Sequence, residues 1–193
     1  MTKPLLAGLV ALLAAYPVLG VHDEELRNDF SKRVNAYVDL HRRLEGPLPP
    51  EAVTPNPADL VLMREALATE IRKARWQARQ GDIFTPGIAS LFRRLVREGI
   101  AGVDPFDLVP DPEGAAWKSP APLHARIHAS YPGDVAFAWM PPRVLLLLPP
   151  LPPELRYQFI GRDLALWDTH AHLIIDYVPD ALPPAIVPEP TTP

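Results

Sequence analysis

Proline has a fixed φ and no amide hydrogen, so it ends helices and is kept out of central strands. This chain carries 26 prolines in 193 residues, and they are clustered. Each cluster marks a boundary between segments that can form regular structure. Gly46-Pro47-Leu48-Pro49-Pro50 through Asn56-Pro57 is an extended connector. From Gly102 to Pro122 the chain runs through Asp-Pro, Pro-Asp-Pro and Glu-Gly steps, which are loop chemistry. Pro179 to Pro193 has no periodicity and reads as a disordered proline-rich tail.

Between the first boundaries lie three amphipathic helices. Leu26, Phe30, Val34, Tyr37 and Leu44 recur at three- and four-residue steps, and the spacing predicts a helix over Asp23 to Leu44. Its acids lie at the positive end of the helix dipole, Arg42 and Arg43 lie at the negative end, and Gly46-Pro47 stops it. A second helix takes Asn56 as cap and Pro57 at its first position, with an apolar stripe of Leu60, Met63, Leu67, Ile71, Ala74 and Ala78 ending before Gly81. A third repeats the device with Thr85 and Pro86. It turns Ile88, Leu91, Phe92, Leu95 and Val96 inward and ends at Gly99.

The remainder reads as sheet. Leu123 to Ser130 and Val135 to Trp139 are strand candidates, whereas Pro142 before an apolar run favours one or two turns of helix. The clearest local signal is Leu155 to Asp168. Gly161-Arg162 suits a two-residue II′ turn, and that register sets Phe159 opposite Leu164, Tyr157 opposite Leu166 and Arg156 opposite Trp167. A turn follows Asp168, and then the apolar Leu173-Ile174-Ile175. The fold class is α+β: N-terminal amphipathic helices packed with a small C-terminal antiparallel sheet built on a β-hairpin. It occupies one domain, residues 21–178, with a helical part at 21–99 and a hairpin-containing part at 100–178.

Residues 1–20 read as a secretory signal peptide: a charge at Lys3, an apolar run Leu5 to Ala15, the breaker Pro17, and a cleavage site after Gly20. The run is short for a membrane span, so the membrane is touched only if this segment stays uncleaved. The expected location is periplasmic or secreted. The chain has no cysteine, so packing alone must stabilise it, and neither lipoprotein attachment nor thiol chemistry is available. After Gly20 there are 18 Lys and Arg against 23 Asp and Glu, a balance that argues against nucleic acid.

One resemblance adds to this. Tyr131-Pro132-Gly133, Met140-Pro141-Pro142, Leu148-Pro149-Pro150-Leu151-Pro152, Tyr157-x-Phe159-x-Gly161-Arg162-x-Leu164, Asp168, Ala171-x-Leu173-Ile174 and Asp176, with Gly81 to Pro86, form a pattern. The pattern resembles a group of exported bacterial proteins without known activity. The resemblance implies a shared fold and supplies no catalytic residues.

Few residues suggest chemistry. Asp168-x-His170-x-His172 is a string that can bind zinc at a strand end, with Asp163 and Asp176 as orienting acceptors, but it offers at most three ligands. His124 and His128 would share one face of a helix or of a strand, and either could supply a fourth ligand only if 123–130 pairs beside the hairpin. Asp104, Asp107, Asp111 and Glu113 lack the order of a calcium loop. No metal and no cofactor is therefore favoured. Arg72, Arg75 and Arg79 beside Trp76, with Arg156 and Trp167 on the hairpin, are candidates for meeting an acidic partner or anionic lipid. Residues 57–99 carry eight Lys and Arg against five acids, whereas residues 100–193 carry five against eleven. Nucleophile elbows, phosphate loops and Ser-x-x-Lys motifs are missing, which argues against an enzyme. The sequence thus reads as a non-catalytic cell-envelope or secreted binding protein. The alternative is a metal-dependent hydrolase using Asp168, His170 and His172.

Export is directly testable. Protein expressed with its native N-terminus in a secreting bacterium should lose residues 1–20, within a residue or two, by intact mass. Full-length chain in the membrane fraction would show an anchor instead.

Overall fold

The computed structural model describes residues 16–48, 57–103, 124–130 and 140–183. Four helices, α1 (Tyr16–Glu45), α2 (Pro57–Ala74), α3 (Pro86–Gly99) and α4 (Pro142–Leu147), precede three strands, β1 (Leu155–Ile160), β2 (Asp163–Asp168) and β3 (Leu173–Val178). The strands pair antiparallel in the order β1-β2-β3. The class is α+β, with the helices N-terminal and the sheet C-terminal.

The helices follow the apolar spacing, with two departures at their ends. α1, described from Tyr16, is already helical ahead of the expected start at Asp23. None of the helices among the described residues is long and apolar enough to cross a membrane. α2 stops at Ala74, short of Ala78. There the chain tightens into a turn closed by Ala78 N–H donating to the Arg75 carbonyl at 2.8 Å, and this redirects residues 81–84 towards the sheet. α3 has the expected bounds, with Pro86 first and all five inward residues buried. α4 confirms the short helix after Pro141, and Gly99 lets it approach: a Cβ at Gly99 would lie 2.8 Å from the Val144 Cα.

The sheet separates two apolar layers. Tyr157 and Phe159 of β1, Leu164 and Leu166 of β2, and Leu173, Ile175 and Val178 of β3 join the main core with Phe30, Val34, Phe84 and Phe92 from the helical side. Phe30 is at the centre of that core, fully buried, with ring centroids 4.8 Å from Phe92 and 5.4 Å from Phe84. Ile160, Ala165, Trp167 and Ile174 form a smaller cluster with Ala125. In β3 the register slips between Leu166, opposite Asp176, and Trp167, opposite Ile174. This bulge leaves Ile175 without a partner, so Ile175 and Asp176 can both serve the helical side.

Two expectations change. Residues 124–130 are not a strand: they meet β3 through one bridge, Ser130 to Leu173, because His128 takes a left-handed φ of 62° that breaks the extended run. The tail is packed at its start, where Ala181 and Leu182 are buried and Leu182 N–H donates to the Arg162 carbonyl at 3.0 Å. The rest of the expected tail, after Pro183, lies outside the described residues. So do the Val135 to Trp139 strand candidate and most of the Gly102 to Pro122 loop.

The hairpin has the expected register, with Arg156 opposite Trp167, Tyr157 opposite Leu166 and Phe159 opposite Leu164. Gly161 takes φ 55° and Arg162 does not take a positive φ, as a II′ turn requires. Gly161→Val should therefore destabilise the fold by about 1–3 kcal/mol, since a β-branched residue is strained there. Urea denaturation of the two proteins checks it; equal midpoints would show that the turn does not need glycine.

Candidate functional site

Asp168 ends β2 with its carboxylate fully buried. A charge taken out of water is tolerated only when donors surround it, and four do. The Tyr37 hydroxyl donates at 2.5 Å and His41 Nδ1–H at 2.6 Å, both from α1. The backbone N–H groups of His170 and Ala171 donate to the other oxygen at 3.0 and 2.8 Å. Tyr37 and His41 are one helical turn apart, so one face of α1 presents both.

A further turn along α1 stands Glu45. Its carboxylate lies 3.2 Å from His41 Nε2 and 2.7 Å from His170 Nδ1. His41 is fully buried, while Glu45 and His170 are partly exposed at 40% and 36%. Burial opposes charging the His41 ring, but the hydrogen bond and charge of Asp168, helped by Glu45, outweigh it and raise its pKa above the ordinary imidazole range. Burial likewise pushes the Asp168 carboxyl up, and the hydrogen bond and charge of His41 bring it below its usual value. Burial, then the charge of Asp168, pushes the Tyr37 phenol far up, so it remains a donor.

The turn that carries His170 is itself fastened. Thr169 donates its N–H and its hydroxyl to the Glu154 carbonyl at 2.9 and 3.1 Å. Glu154 accepts from Arg42 of α1 at 2.7 Å. The Arg42–Glu154 pair thus adds to the Asp168 and Glu45–His170 contacts that join the last turns of α1 to the sheet and its β2–β3 turn.

The Asp168-x-His170-x-His172 string is divided by this geometry. Residues 169–172 form a turn rather than an extended segment, and His172 takes φ 52°. Asp168 and His170 stay on the α1 side, whereas the His172 ring meets Trp167 edge-on at 5.4 Å. His124 lies 3.5 Å from Asp163, and His128 is held against β3 by its N–H to the Ile174 carbonyl at 2.9 Å. Asp163 and Asp176, the expected orienting acceptors, instead receive backbone amides. Asp163 accepts from Ala125 and Asp180. Asp176 accepts from Gly81, Ile83, Phe84 and Tyr177. The acidic loop of Asp104, Asp107, Asp111 and Glu113 lies outside the described residues.

Of the basic and aromatic candidates, Arg75 turns inward. Its guanidinium lies 5.2 Å from the Tyr37 ring centroid and donates to the Ile175 carbonyl at 3.2 Å. Arg72 reaches the His128 carbonyl at 3.4 Å. Trp76, next in the chain, is 76% exposed, and Arg79 and Arg156 are exposed as well. Trp167 is buried in the smaller cluster.

Tyr37, His41 and Glu45 are the site residues that the sequence reading did not single out. Tyr37 passes as one more apolar-face residue of a helix. His41-x-x-x-Glu45 is a usable signal, since that spacing puts both groups on one helical face. Among the described residues, His41, Glu45 and His170 present ligand atoms that all lie within 4.8 Å of one another. The chain matches no protein-family model, no curated protein and no solved structure at a significant level.

Removing Asp168 should unfasten this junction. Asp168→Ala should cost about 3–5 kcal/mol, because it leaves a buried His41 ring and several amides without their acceptor. His170→Ala, partly exposed and on the turn, should cost less than about 1 kcal/mol in metal-free buffer. Urea unfolding of both variants measures this; a mild effect of Asp168→Ala would show that the apolar core alone holds α1 to the sheet.

Proposed function

We propose that this is an exported, non-catalytic protein that binds an anionic component of the cell envelope through the Trp76 turn. The observation that carries the reading is Trp76 itself, an indole 76% exposed in a turn that the fold holds in place. Arg75 is drawn into the junction by Tyr37 and the Ile175 carbonyl. Asp82 accepts the Arg79 N–H at 2.9 Å across the same loop. Trp76 thus sits exposed between the held Arg75 and the Arg79–Asp82 contact.

Exposed aromatic side chains in fixed settings are the common anchors of binding surfaces. Beside Trp76 lies an open depression of about 340 Å³ lined by Ala74, Arg75, Gln77, Ala78 and Asp82. Lys73 and Arg79 are exposed nearby. Cations around an aromatic anchor favour an anionic partner, by steering its approach and by closing ion pairs at the rim. The non-catalytic part of the reading is supported by the buried carboxylates. Asp168 and Asp176 each have four hydrogen-bond donors, which leaves neither oxygen pair free to take a proton from a substrate. The hydrolase alternative would need His172 to join Asp168 and His170, and His172 instead lies against Trp167.

Trp76→Ala should leave the unfolding free energy from urea denaturation unchanged within about 0.5 kcal/mol. It should weaken binding to phosphatidylglycerol-containing vesicles, or to polyglutamate, at least about tenfold. Sedimentation with vesicles and fluorescence anisotropy with labelled polyglutamate separate a lipid from a polyanion. Wild-type protein that binds neither, or a variant that binds as well as wild type, would refute the reading.

A further inference from the structure

We propose that His41, Glu45 and His170 form a binding site for a divalent transition-metal ion, with Asp168 as the acceptor that orients His41. The donor set of two imidazoles and one carboxylate suits zinc, which takes nitrogen and oxygen ligands at about 2.0–2.2 Å. Tetrahedral bonds of that length set ligand atoms about 3.3–3.5 Å apart. His41 Nε2 and Glu45 Oε2 are 3.2 Å apart, Glu45 Oε1 and His170 Nδ1 are 2.7 Å apart, and all the ligand atoms lie within 4.8 Å. Small rotations of the partly exposed Glu45 and His170 side chains open the space an ion needs.

Three features make this a built arrangement rather than an accident of spacing. His41 is fully buried and its Nδ1 is held by a buried carboxylate at 2.6 Å, which turns Nε2 towards Glu45. A carboxylate behind a ligating histidine is the usual support of such a ligand, fixing its orientation and raising its basicity. His170 arrives from the opposite direction on a turn that Asp168 fixes through two amides. The charges also fit. Asp168 and Glu45 bring two negative charges, two neutral imidazoles bring none, and the nearby Arg42 is already paired with Glu154 at 2.7 Å. A divalent cation cancels that charge, and the proton it displaces from His41 Nε2 leaves to solvent.

The ion acts as a fastener between the last turns of α1 and the β2–β3 turn. Fully ligated Asp168 leaves no spare base beside it, so the role is structural. This site is distinct from the Trp76 surface, and failure of either leaves the other standing.

The test uses the chain expressed with its native N-terminus, stripped with a chelator and titrated with zinc by calorimetry and thermal melting. About one zinc per chain is expected, with Tm raised by roughly 5–10 °C at a hundredfold excess over Kd. His170→Ala and Glu45→Gln should each lose at least about tenfold in zinc affinity and most of the Tm gain. Both residues are partly exposed, so these variants should fold. His172→Ala should bind as wild type does. Absence of zinc-dependent Tm change in wild-type protein would overturn the proposal. So would binding that survives in His170→Ala and Glu45→Gln but is lost in His172→Ala.

Discussion

The placement of the helical half on the sheet depends on a buried carboxylate. Apolar contacts between α1 and the sheet are favourable but non-directional, and Phe30, Val34 and Tyr37 would tolerate small sliding along the core. Asp168 removes that freedom. A carboxylate without donors in this setting would be untenable, so the only acceptable positions of α1 are those that bring Tyr37 and His41 within hydrogen-bond reach. The same oxygens shape the β2–β3 turn by taking the His170 and Ala171 amides. One side chain thus sets a helix, a strand end and a turn together.

Asp176 and Asp163 extend the device to segments that lack regular structure. A proline-rich chain without cysteine has long irregular stretches and no covalent braces. Its exposed amides must find partners wherever the chain is buried. Asp176 collects the amides of Gly81, Ile83 and Phe84 and so places Phe84 against Phe30 in the core. Burial pushes the Asp176 carboxyl up, and the backbone amides partly offset that. Asp163, on the other side of the sheet, ties Ala125 to Asp180 and so brings the start of the tail onto the hairpin. The acidic excess of the C-terminal half is therefore partly internal. Among the described residues, Asp163, Asp168 and Asp176 of that half are buried and take loop amides.

Tyr37 touches both the Asp168 junction and the side chain next to Trp76. Its hydroxyl belongs to the Asp168 junction, and its ring receives the Arg75 guanidinium that turns the chain and leaves Trp76 outside. A residue of the α1 apolar stripe thereby meets both Asp168 and the Arg75 side chain that precedes the exposed indole.

The sequence by itself determined what is local. The bounds of α3 follow from Thr85-Pro86 and Gly99, and the hairpin register follows from Gly161-Arg162, because caps and turns act over a few residues and leave compositional marks. The two-part α+β layout follows from the same periodicities. Only the tertiary structure decided the site. His41 and Asp168 are separated by 127 positions, and no periodicity of either segment encodes that meeting. It arises because burial of the α1 stripe and of one sheet face brings their polar residues together at the margin of the core. Nor could the string Asp168-x-His170-x-His172 reveal its own division. Whether alternate residues share a face depends on the backbone, and here Asp168 folds residues 169–172 into a turn with His172 left-handed, which sends the two histidines to opposite sides of the sheet.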